Sequence, residues 1–257
     1  MKWEAEVIHL RRILQVRISM TYTVIARCER TGDVGIACAT YTLAVGQYCD
    51  GLVSRSGITM SQASVRQINN SIAVPMLANG AAANDVMAKL LKLDNHSSFR
   101  QIGVIDARGD CAVHTGKDAR DWKGHRIGQG VIAMGNVLLG PQVVDAMAQA
   151  YAESSSLDLE HCLLLALEAG RDAGGQSNGV RRMPERSSVL AVMGAQKFPK
   201  INLRVDADDK AVDALRGLHN RYKKYEDYYR HRDLFPHTVP GQEVFEESFG
   251  GQTFHTP

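Results

Sequence analysis

A chain of 257 residues that is 44% hydrophobic carries enough apolar surface for one substantial core. A single domain of about 200 residues with extensions at its ends is the expected plan. Thirty Lys and Arg against 28 Asp and Glu leave a net charge of +2, without the basic excess that marks nucleic-acid or membrane-surface proteins.

Residues 1–19 carry Val7, Leu10, Leu14 and Ile18 at helical spacing, but Glu4, Glu6, His9, Arg11, Arg12 and Arg17 interrupt any secretory or membrane segment. No window approaches the roughly 18 apolar residues of a span. The five cysteines are odd in number and lack a Cys-x-x-Cys pair, which argues for a reducing compartment and against zinc. A cytoplasmic protein is expected.

Thr21 to Arg27 and Val34 to Ala39 are two apolar, β-branched runs about a Gly32 turn, a hairpin. Alternation puts Thr21, Thr23, Ile25 and Arg27 on one face and Tyr22, Val24, Ala26 and Cys28 on the other. Further strands are expected within Gly51 to Ala63, at Phe99 to Asp106 with Cys111 to His114, at Gly130 to Met134, at Ser188 to Met193 and at Ile201 to Val205. Residues 64–75, rich in Ser, Asn and Gln, read as a loop ending at Pro75, and Gly135-Asn136 as an interruption after a strand. Helices are expected over 81–93, after Gly140-Pro141, and over 158–172 up to Gly174-Gly175. A last helix over 209–230 brings Tyr222, Tyr225 and Tyr229 to one side, as a packing or subunit-contact element, and a polar tail follows from His231. Hairpins with two successive late helices indicate an α+β fold built on antiparallel sheets.

The start of the first strand is chemically distinctive. Met20 followed by the small residue Thr21 is the pattern of an initiator that is trimmed, leaving a threonine with a free α-amine. Such an amine has a pKa of about 7.7 to 8.0 and can take the proton of the neighbouring hydroxyl near neutral pH. Nucleophile and base would then share one residue.

Thr21 to Arg27, Thr31 to Gly35, Ala44-Val45-Gly46, Arg100 to Asp106, His114-Thr115-Gly116, Gly135-Asn136 and Gly174-Gly175 form an ordered set over about residues 21–206. The set resembles the domain of unknown function 1028 family, placed in the N-terminal-nucleophile (Ntn) hydrolase superfamily. The resemblance implies a four-layer αββα sandwich of antiparallel sheets over 21–206, with a C-terminal helix over 207–230 and a tail over 231–257. Residues 1–20 would be a misassigned start or a propeptide. The chain departs from the family pattern after Ala63, where Val65 to Asn70 stand, and at Gln176, which is followed by an inserted stretch, Ser177 to Glu185.

By this resemblance Thr21 is the nucleophile, with an ordinary strand threonine as the alternative, and Gly135 and Asn136 are candidates for donors to the oxyanion formed as it attacks a carbonyl, with a turn as their equal alternative. Thr23, Thr40, Ser61, Gln62 and Ser187 are candidates for binding substrate or holding the amine; strand-end capping is the alternative for Thr40, Ser61, Gln62 and Ser187. His114, Asp118, Asp121 and His125 offer metal-ligand atoms within a short stretch, but without tight ligand spacing and among basic residues, so no metal is expected. The expected activity is an amidohydrolase acting on a small amide without a cofactor. It would act without nucleic-acid or membrane partners, and the tyrosine helix offers a surface for a homo-oligomer. The alternative is a non-catalytic binding or assembly paralogue in which residues 1–20 permanently cap Thr21.

Overall fold

The computed structural model describes residues 20–248, so the expectations for residues 1–19 and for the last residues of the tail lie outside the described ones. Strand β1 (Thr21–Arg27) turns back into β2 (Val34–Thr40), followed by β3 (Leu52–Val53) and β4 (Gly57–Ala63). Helices α1 (Ile68–Ala78) and α2 (Ala83–Lys92) lead to the strands β5 (Arg100–Asp106), β6 (Cys111–Thr115), β7 (Lys123–Gly128) and β8 (Val131–Asn136). Helices α3 (Gln142–Glu153) and α4 (Leu159–Asp172) come next, then β9 (Gln176–Ser177) and β10 (Arg182–Met183). The strands β11 (Ser187–Met193) and β12 (Pro199–Val205) precede α5 (Ala211–Leu234) and α6 (Gln242–Glu247).

The strands form an antiparallel six-stranded sheet in the order β12-β11-β2-β1-β8-β7, an antiparallel four-stranded sheet in the order β3-β4-β5-β6, and a small β9-β10 ribbon. The protein is therefore an α+β fold with antiparallel sheets, as the hairpin pattern predicts. The first sheet's inner face contributes Ile25, Ile36, Ile132 and Met134, and the second contributes Ile58, Met60 and Ile105, to one buried cluster. Each such side chain contributes roughly 1.5–3 kcal/mol when fully buried. The opposite faces carry helices: α4 lies on β1 and β2 and α3 on β7 and β8, while α1 lies on β4 and α2 on β5 and β6.

Two expectations need correction and one strand is additional to them. The segment read as a loop up to Pro75 is α1, with Pro75 inside the helix. Its weak intrinsic signal is overridden by burial of Ala73 and Leu77, and Asn69 and Asn70 bind Ser61 and Asp50 through their side chains. Strand β7 was not foreseen, because it is an edge strand whose half-exposed to exposed residues show no apolar alternation. Gly135-Asn136 does not interrupt β8; both residues are paired with β1.

The chain divides into two units, Met1–Arg216 and Gly217–Pro257. In the second, Tyr228 stacks on Phe245 with ring centroids 4.2 Å apart, and Tyr225 meets the same ring edge-on at 5.8 Å. Of the expected tyrosines Tyr225 thus packs on α6, which falls in the stretch read as a tail. All five cysteines are free thiols. Among the described residues, no helix is long and apolar enough to cross a membrane.

Candidate active site

Directly opposed residues in neighbouring antiparallel strands share a face, so register alone builds a row across the large sheet. Ser187 opposes Thr40, Thr40 opposes Thr21, Thr21 opposes Asn136 and Asn136 opposes Lys123. The Tyr41 amide donates to the Met20 carbonyl at 3.3 Å and the Cys28 amide to that of Asp33 at 2.8 Å. Those are the hydrogen-bonded pairs of the ladder, so Thr21 and Thr40 fall on the alternate kind, in which facing side chains stand closer.

Their hydroxyls are 3.1 Å apart. Thr40 Oγ1 donates its one proton to the Met20 carbonyl at 2.5 Å, so the shared hydrogen bond must come from Thr21. Thr40 also accepts from the Thr42 amide at 3.3 Å. The hydroxyl of Thr21 is therefore aimed and its proton already directed at a fixed acceptor.

Thr21, Thr40 and Gln62 line a cavity of about 400 Å³, together with Tyr48, Met60 and Arg100 among others. Backbone strain gathers around it. Ala44, Ala63 and Val137 have φ of 56°, 66° and 54°, a left-handed conformation uncommon for non-glycine residues and most costly for the β-branched Val137. Ala63 ends β4 there, so the chain turns and Ser64, Val65 and Gln67 close one side of the cavity.

Behind the cavity a chain of side chains joins the two sheets. Gln101 Nε2 donates to the carbonyl oxygens of Gly124 and Gly135 at 3.0 and 3.1 Å, which fixes the orientation of its amide because carbonyls only accept. Gln101 Oε1 then accepts from Gln62 Nε2 at 2.7 Å, and Gln62 Oε1 accepts from the Thr23 hydroxyl at 2.5 Å. Thr115 Oγ1 is 3.0 Å from Gln101 Nε2 and 3.0 Å from His125 Nδ1. Burial, and then the field of Arg126, lowers the His125 pKa and so favours its neutral ring.

The other candidates separate clearly. Thr23 reaches the cavity only through Gln62. Ser187 accepts from the Val45 amide at 3.0 Å and donates to the Thr42 carbonyl at 2.6 Å, so it holds the loop after β2. Ser61 points to the helix side of its sheet, where Asn69 Nδ2 donates to it at 3.2 Å, and does not line the cavity. A Cβ on Gly135 would meet Leu138 Cδ1 at 2.4 Å and the Thr21 carbonyl oxygen at 3.1 Å, so a larger residue there would have to displace Leu138. Asn136 is 1% exposed, lies across from Thr21, and has no partner among the described residues for either Nδ2 or Oδ1. It does not line the cavity. His114 engages the Ser97 carbonyl at 2.9 Å, and Asp121 pairs with Lys123 at 2.9 Å.

Arg100 and Gln101 had no role assigned from sequence, although both lie in a stretch that carries the family resemblance. The apolar alternation of Ile102 and Val104 could have placed Gln101 across from them, facing inward.

The fold and cavity define an α+β protein with a threonine at the head of a central strand, at the wall of a small open cavity. A profile of the "Family of unknown function (DUF1028)" matches residues 21–215, and the chain belongs to that family. It is similar to the crystal structure of protein SPO2555 from Silicibacter pomeroyi, attributed to the same family, with 28% identity and a TM-score of 0.72. That likeness covers 83% of this chain and 94% of the other. No curated protein matches.

Proposed function

We propose that the protein is an Ntn-type amidohydrolase in which Thr21, once it is the first residue, attacks a small amide. The observation that carries this reading is the Thr21 hydroxyl, bonded to Thr40 at 3.1 Å at the wall of the cavity. Helices on the outer faces of two facing sheets agree with a four-layer αββα Ntn sandwich.

In this mechanism the free amine of Thr21 takes the hydroxyl proton and returns it to the leaving amine. An acyl ester forms on Thr21 Oγ1, and water releases it. Thr40, whose proton is held by the Met20 carbonyl, gains the new amine as its neighbour when Met20 leaves. Met20 packs on Val137, so its departure also opens the space beside Asn136, whose unpartnered amide is the candidate oxyanion donor.

One observation favours the binding-scaffold reading. Met20 is fully buried against Val137 and Met183, as a permanent cap on Thr21 would be. Intact mass and N-terminal sequencing of protein expressed from its natural upstream DNA separates the two. A chain beginning at Thr21 that cleaves members of an amide library, and loses roughly a thousandfold or more of that rate on Thr21→Ala, supports the hydrolase. Its rate should rise with pH through about 7.7 to 8.0 as the amine loses its proton. A chain that keeps Met20 attached over days rejects the mechanism.

A further inference from the structure

We infer that the cavity selects amides whose far end carries a carboxylate, and that Arg100 is the residue that anchors it. Placing the reacting amide against Thr21 rests on the hydrolase reading; the charge selection does not.

Arg100 is the one charged side chain in the cavity lining among the described residues. Its Nε donates to Asp94 Oδ2 at 3.0 Å and its Nη1 to the Ser64 carbonyl at 2.5 Å, so the guanidinium is held in place. Arg66 also approaches Asp94 Oδ2, at 3.9 Å. Two guanidiniums therefore share one carboxylate, and one positive charge is left over. Arg100 Nη2 has no acceptor among the described residues, although the side chain is only 15% exposed. A largely buried guanidinium with spare N–H groups calls for an acceptor from the ligand, and a carboxylate matches both its fork and the single residual charge.

Among the described residues the rest of the lining is neutral, with no carboxylate to pair with an ammonium group. Gln62 adds direction. Its Nε2 is directed at Gln101 Oε1 and, at 3.5 Å, at the Met134 carbonyl, so the atom with capacity left is Oε1, which can accept the N–H of the bound amide. At about 400 Å³ the space suits a short chain between amide and carboxylate.

The test is calorimetric titration of the full chain with two probes of nearly equal size, glutaramate (one amide, one carboxylate) and neutral glutaramide. Glutaramate should bind roughly tenfold or more tightly, the scale of one charge-assisted contact. Arg100→Gln should bring the two affinities together, and Arg100→Lys should keep part of the preference. Because Arg100 also braces Asp94, the wild-type arginine Nε–H resonances provide a readout that does not depend on a variant folding: one should shift with glutaramate and not with glutaramide. Equal affinities, no binding of either probe at millimolar concentration, or a preference that survives Arg100→Gln would overturn the inference. Thr21→Ala should bind glutaramate with the same preference. Selective binding by the full chain, with no cleavage of carboxylate-bearing amides by the protein that begins at Thr21, would leave this inference standing and count against the hydrolase reading alone.

Discussion

Two groups of buried polar side chains lie between the two sheets, one spanning both sheets and one on the large sheet alone, and they use their hydrogen-bonding capacity in opposite ways. Thr23, Gln62 and Gln101 form a linked chain in which the amide nitrogens and oxygens meet protein partners. Asn136, one row further along beside Thr21, is equally buried and has neither amide atom engaged. A satisfied buried network rigidifies the structure around it, whereas an unsatisfied buried amide costs about 1–3 kcal/mol per group. The first arrangement is what holding two sheets in register requires. The second is retained against stability, which points to a use in binding or catalysis.

This contrast can be broken by two substitutions. Gln101→Leu removes the acceptor of Gln62 Nε2 and the donor to the Gly124 and Gly135 carbonyls. It should lower unfolding stability by about 3 kcal/mol in urea denaturation, since several buried groups lose their partners together. A change below about 0.5 kcal/mol, the level of an ordinary surface substitution, would mean that the chain does not couple the sheets. Asn136→Leu, close in shape, should leave stability unchanged or slightly raised, because no hydrogen bond is lost. If Asn136 is the oxyanion donor, the same variant should lower amide cleavage by the Thr21-initiated protein about a hundredfold, through kcat more than KM. A large stability loss with an unchanged rate would reverse the assignment of the two groups.

How much of this was legible in the sequence depended on the range of the interaction. Period-two alternation in Thr21 to Arg27 correctly put Thr21, Thr23 and Ile25 on one face, because a strand's two faces are a local property. Thr40 was legible as a strand end, and its register against Thr21 follows from the hairpin turn. The partnership of Gln62 with Gln101 joins strands far apart in sequence and depends on a register that no local pattern states. The same holds for the acceptors of Gln101 in β7 and β8. Helix α1 was hidden because its stability comes from Ala73 and Leu77 docking on β4, while its own residues favour a loop. Ser61 lies one step of alternation from Gln62: Gln62 faces the cavity, so its neighbour faces the helices, where it meets Asn69.

Asp94 tests the contrast at its smallest expected effect, because it is a saturated group that nevertheless braces the cavity wall through Arg100. Burial pushes its pKa up, but the hydrogen bonds from Arg100 and the His96 amide, with the fields of Arg100 and Arg66, outweigh burial and hold it below the usual carboxylate range. A carboxyl with a lowered folded pKa contributes stability that is present above its unfolded value of about 3.9 and is lost as pH falls through the folded value. Urea unfolding of the wild type should therefore lose this contribution as pH drops below about 4, and Asp94→Asn should flatten that part of the profile. If saturation marks a structural role, Asp94→Asn acts on stability near neutral pH and leaves the Thr21 step alone, with kcat per folded molecule within about twofold of wild type. A loss of kcat as large as that expected for Asn136→Leu would show that a fully bonded buried group can also govern the chemistry, and hydrogen-bond satisfaction would no longer separate the two regions.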